Sequence, residues 1–76
     1  MSWFLIIEEW NDGEPSVAKA YGSQTENDLS RIVKDAFKNS KRDYVFQHCI
    51  ESAEEYKSKL KEFKNAGCKV IRHDRH

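Results

Sequence analysis

Seventy-six residues make a single α+β domain over 1–76, close to the lower size for independent folding and too short for a walled catalytic cleft. A composition that is 38% hydrophobic and 34% charged, with nine aromatics, excludes a disordered chain. Net charge is zero but uneven: residues 1–30 carry six acids and one base, residues 31–76 carry twelve bases and seven acids, and this balance does not favour a nucleic-acid-binding class.

Trp3-Phe4-Leu5-Ile6-Ile7 reads as a strand, being aromatic and β-branched. It is too short for a signal-peptide core, and Glu8-Glu9 follows at once, so no leader is expected. No stretch approaches the roughly 18 apolar residues of a membrane helix. Two cysteines, Cys49 and Cys68, do not make a secreted disulfide framework, so the expected compartment is the cytoplasm. Asn11-Asp12-Gly13-Glu14-Pro15 is a turn, and Ser16 to Tyr21 a second, weaker strand, giving a hairpin.

Gly22 to Asn27 reads as a polar loop ending in N-cap residues. Leu29, Ile32, Val33, Ala36 and Phe37 then recur at helical spacing, with Lys34 and Lys38 toward the negative end of the dipole. Tyr44 to Ile50 is a third strand. Ser52-Ala53-Glu54-Glu55 is a capping box, opening a helix that aligns Ala53, Tyr56, Leu60 and Phe63. Gly67 is its stop, and Cys68 to His73 a fourth strand. The expected architecture is two-layered: β-β-α-β-α-β order, a four-stranded mixed sheet, two helices on one face. The last three elements form a βαβ unit, right-handed if its strands are parallel.

Over residues 42–72 the pattern of strand, acidic-capped helix, Gly and strand resembles the second half of ferredoxin-like modules, among them RNA-recognition motifs and SPOR domains. Arg42-Asp43-Tyr44-Val45-Phe46-Gln47-His48 is similar to the RNA-recognition strand, but that motif places Gly at position 43 and an aromatic at 48. Those families also run β-α-β-β-α-β, so no function is taken from the resemblance.

Alternation along the first strand puts Trp3, Leu5 and Ile7 on one side and Phe4 and Ile6 on the other. Both sides are apolar, while helices on one face cover one side only. The other side is covered by loops, tolerated as a modest patch, or capped by a partner or a second copy. On the third strand, Tyr44, Phe46, His48 and Ile50 share a face, read as core rather than as a base-stacking platform. Val45, Gln47, Cys49 and Glu51 make the solvent face.

Metal and catalytic constellations fail on spacing. His73 and His76 have two residues between them on a terminus, and His48 and Cys49 are neighbours that diverge. The glycines at 13, 22 and 67 form no phosphate loop. No cofactor, metal or catalytic residue is expected, and the chain is not read as an enzyme. The leading expectation is a small intracellular protein-binding module, regulatory or inhibitory, of the kind phages and mobile elements encode, with a homodimer as one form. Its surface would be Trp3, Leu5, Glu8, Glu9, Trp10 and Asp12. The alternative is single-stranded nucleic-acid binding by Lys38, Lys41, Arg42, Arg72 and Arg75.

Overall fold

A computed structural model describes residues 2–74. Its elements are β1 (Ser2–Trp10), β2 (Val17–Thr25), α1 (Glu26–Asn39), β3 (Tyr44–Ile50), α2 (Ala53–Asn65) and β4 (Lys69–Arg72). The sheet order is β3-β1-β2-β4. β1 pairs antiparallel with both β2 and β3, and β2 pairs parallel with β4. The α+β class, the element order and the four-stranded mixed sheet match the sequence expectation.

The placement of both helices on one face does not. Ile6, Ala18 and Ala20 are buried against Tyr56 and Leu60 of α2, with Phe4, Ile50, Phe63 and Val70 packed around them. On the opposite face, Ile32 and Ala36 of α1 wall a cleft with Glu9, Lys19 and Tyr21. The layers are therefore α1, sheet, α2. The cause is connectivity. β2-α1-β3 and β3-α2-β4 both join parallel strands, but they cross the sheet in opposite directions. Right-handed crossovers that move in opposite directions lie on opposite faces.

This places Leu5, Ile6 and Ile7 in the interior, each with no exposed surface. Burying an aliphatic side chain stabilises by roughly 1.5–3 kcal/mol, so the doubly apolar β1 is the main anchor of the fold. Its second face is covered by α1 rather than by loops or a partner. α1 nonetheless has no fully buried residue, and Phe37, expected on its apolar stripe, is 53% exposed.

The local signals act as their chemistry requires. Ser52 Oγ accepts from the Glu55 amide at 3.4 Å. α2 ends in a Schellman motif, with Cys68 N donating to Phe63 O and Gly67 N to Lys64 O, at Gly67 φ +89°. The largest boundary difference lies ahead of α1. The expected loop at Gly22 is strand, and β2 runs on to Thr25, the true N-cap of α1, whose hydroxyl accepts from Asp28 N. Gly22 sits at a bulge: the β1–β2 register shifts between Leu5, opposite Gly22, and Ile6, opposite Ala20.

Candidate binding surface

β1 alternates cleanly against β3, so Phe4, Ile6, Glu8 and Trp10 point to the α2 side with Ile50, His48, Phe46 and Tyr44 beside them. α2 leaves the end of β3 near Ile50 and must reach the start of β4, so it crosses the sheet diagonally. Ile50 and His48 are half-buried, the His48 ring lying edge-on to Phe63 with centroids 5.6 Å apart. The opposite corner, where β3 begins, stays bare. There Trp10 stacks on Tyr44 with ring centroids 4.1 Å apart, and Phe46 follows at 6.3 Å from Trp10. Tyr44 is 39% and Phe46 45% exposed. The expectation that this face of β3 is core holds for its second half alone. On the reverse side Val45 is half-buried, while Gln47 and Cys49 are exposed.

The corner is held from below. Asp43 N donates to Asn11 Oδ1 at 2.7 Å, Asp12 N to Asp43 Oδ2 at 3.3 Å, and Arg42 pairs with Glu14 at 3.2 Å. The hairpin turn, with Gly13 at φ +81°, thus clamps the segment leading into β3. Glu8 Oε1 accepts a hydrogen bond from His48 Nε2 at 3.1 Å, closing the row above Phe46.

β3 is also an edge strand, and its seven residues include no Asp, Glu, Lys, Arg or Pro. The other edge, β4, is four residues long and begins and ends on Lys69 and Arg72. Short length and basic residues are the usual protection of an edge against pairing, and β3 has neither.

The expected surface is divided. Leu5 and Glu9 are buried on the α1 side. Burial alone pushes the Glu9 carboxyl up. Hydrogen bonds from Lys19 and Ser40 and the charges of Lys19 and Arg42 outweigh it, holding the carboxyl below its ordinary value. Trp3 is half-buried beside Leu29 and Cys49. Glu8, Trp10 and the exposed Asp12 remain near the aromatic corner. Sequence reasoning passed over Tyr44 and Phe46 by giving them to the core. A charge-free stretch in a chain with 34% charged residues was the signal that marks them.

The basic residues do not form one patch. Lys38, Lys41 and Arg42 stand at the start of β3, while Arg72 ends β4 at the far edge and far end of the sheet, bonded through Nε to Asp74 at 2.8 Å. Arg75 and His76 lie outside the described residues. Cys49 and Cys68 are free and belong to opposite edges of the sheet. Among the described residues no cluster of three metal-binding side chains occurs, and no helix is long and apolar enough to cross a membrane.

The remaining polar constellation is built around the bulge. Tyr56 Oη donates to Asp74 at 2.8 Å and accepts from Gly22 N at 2.9 Å, and Arg72 holds the same carboxylate through two nitrogens. Burial, and then Asp74, push the Tyr56 phenol up to about 12. The Arg72 hydrogen bond, with help from Tyr56 and against burial, draws Asp74 down to about 2. Both groups are locked away from proton transfer near neutrality, which suits a structural clasp. Comparison with protein-family models, with curated proteins and with solved structures found no match for this chain.

Proposed function

We propose that the chain is a small non-enzymatic protein-binding module, regulatory or inhibitory in role and cytoplasmic, and that it binds through the β3 edge and the aromatic corner beside it. The observation that carries this is the Trp10–Tyr44–Phe46 stack, with Tyr44 and Phe46 exposed on an uncharged edge strand and Trp10 half-buried beside them on β1. Tyr and Trp are enriched where a few residues dominate an interface, because they supply area at small entropic cost. An open edge adds main-chain hydrogen bonds to whatever extended segment lies along it. Glu8 and Asp12 form the acidic rim.

The test has two stages. Proteins from the native host retained by the wild-type chain are compared with those retained by Phe46→Asp. A purified candidate is then titrated against a Trp3→Phe variant, in which Trp10 is the sole tryptophan. A saturable change in Trp10 emission, absent with Phe46→Asp, supports the reading. A partner retained equally by both proteins places binding elsewhere and defeats it.

A second reading takes the same rings as a platform for stacked bases, with Lys38, Lys41 and Arg42 alongside for phosphates. It requires binding of single-stranded DNA or RNA that weakens steeply with salt. No shift of a labelled oligonucleotide at low salt removes it.

A further inference from the structure

We infer that the occupant of the β3 edge is a second copy of this chain, paired antiparallel about Gln47 in a two-fold dimer with one continuous eight-stranded sheet. This rests on the binding reading above and names that surface's partner. The faces of an antiparallel pair match only when residues of like parity oppose, and full overlap of Tyr44–Ile50 puts the axis at Gln47. Tyr44 then opposes Ile50 of the second copy, Phe46 opposes its His48, and Val45 its Cys49. No charged side chain meets another within the paired strands. Gln47 opposes itself, and an amide, being both donor and acceptor, is its own complement.

The second observation is a hollow that fits what this pairing brings to it. Beside the upper half of β3 runs an open groove of about 600 Å³, lined by His48, Ile50, Glu54, Ser58, Lys59 and Glu62. Antiparallel pairing carries the Trp10–Tyr44–Phe46 corner of one copy alongside this groove in the other, twice by symmetry. The exposed rings thereby gain apolar walls from Ile50 and the stem of Lys59. The ammonium of Lys59, already 5.7 Å from the Phe63 ring centroid, stands where a second ring would be recognised. Charge is mixed at both ends: Lys41 and Arg42, the latter paired with Glu14, precede the aromatic corner beside Asp12 and Asp43, and Glu54, Glu55 and Glu62 line the groove with Lys59, so Lys41 and Arg42 are the corner groups opposite in sign to the groove carboxylates. Asp43 facing Glu51 just beyond the paired residues is a like-charge approach, with Lys41 and Arg42 beside it. A net charge of zero leaves no long-range repulsion between copies.

Sedimentation equilibrium or light scattering over micromolar to high micromolar concentration reads the mass directly. The expected species is twice the 9.0 kDa chain. Gln47→Lys and Gln47→Glu, both at an exposed position, are each expected to weaken the dimer tenfold or more with unchanged circular dichroism. An equimolar mixture of the two is expected to restore it, because the axis places residue 47 against itself. In a Cys68→Ser background, Val45→Cys is expected to cross-link to native Cys49 of the second copy under diamide, while Cys49 alone does not. A wild-type chain that stays at 9.0 kDa throughout overturns the dimer. So does a dimer indifferent to both Gln47→Lys and Phe46→Asp. A monomer whose Trp10 still responds to a purified partner overturns this inference and leaves the binding reading standing. A dimer of the stated register with no such partner upholds this inference and limits the binding reading to self-association.

Discussion

Gly22→Ala tests the bulge on which the C-terminal clasp depends. Gly22 has φ +76°, where a side chain costs about 1–2 kcal/mol. A Cβ built there falls 2.8 Å from Asp74 Cβ, closer than two carbons approach, so Asp74 must move. Moving it breaks the Tyr56–Asp74 bond and strains the Arg72 pair, leaving a buried phenol partly unsatisfied, which costs about 1–2 kcal/mol more. The expected loss is about 3 kcal/mol in urea unfolding followed by circular dichroism, with a melting temperature lower by roughly 10–20 °C for a domain of this size. The two parts separate in an Asp74→Gly background, where the opposing Cβ is gone and Gly22→Ala should cost only the φ term. A loss below about 1 kcal/mol in the wild-type background would refute both the bulge geometry and the clasp.

The clasp also sets an acid limit. The Asp74 carboxyl titrates at about 2 folded against 3.8 when free, so its contribution is complete above pH 4 and is lost as pH falls toward 2. With Arg72 about one-third exposed, solvent discounts it to roughly 1–2 kcal/mol, and the gap between wild type and Asp74→Asn in urea should close over that interval. A gap constant from pH 5 to pH 2 would contradict the assignment. On the other face, Lys19→Ala strands Glu9, which is only 3% exposed, and is expected to cost about 1–3 kcal/mol, most of it recovered by Glu9→Gln. Equal stability of Lys19→Ala and the double variant would show that the ion pair does not matter there.

Local chemistry made most of the elements legible. A β-branched run, a Gly turn, an S-x-x-E box and a Gly stop each act within a few residues, and each acts as read. Gly22 misled because a polar Gly-Ser-Gln run has the same composition whether it loops or, as here, bulges within a strand. The faces of the helices were not legible from any one segment. They follow from strand order, and β1 inserts between β2 and β3 by pairing across long separations. That single fact buries the centre of β1, Leu5, Ile6 and Ile7, from both faces. It also removed the original reason for expecting a partner, since Leu5 and Glu9 lie under α1. The case for binding moved to Tyr44 and Phe46, whose exposure depends on the path of α2 across the sheet.

The two crossovers explain where this small fold has surface to spare. α1 travels from the end of β2 to the start of β3 and does not touch β4. α2 travels from the end of β3 to the start of β4 on the other face. A helix laid diagonally over four strands leaves opposite corners of its face open. On the α2 side the open corner holds Trp10, Tyr44 and Phe46. On the α1 side, toward β4, Tyr21 stacks on His73 with centroids 4.8 Å apart, almost parallel. Aromatic pairs thus occupy both uncovered quarters, but only one of them adjoins an unprotected edge. At the Tyr21–His73 corner the edge strand is short and basic, and the rings stack on each other as a lid for the sheet. At the Trp10 corner the edge is long and neutral, and two of the three rings remain open to water. The asymmetry between the edges, more than the aromatic content of either corner, is what sets β3 apart and supports the proposal that it is covered.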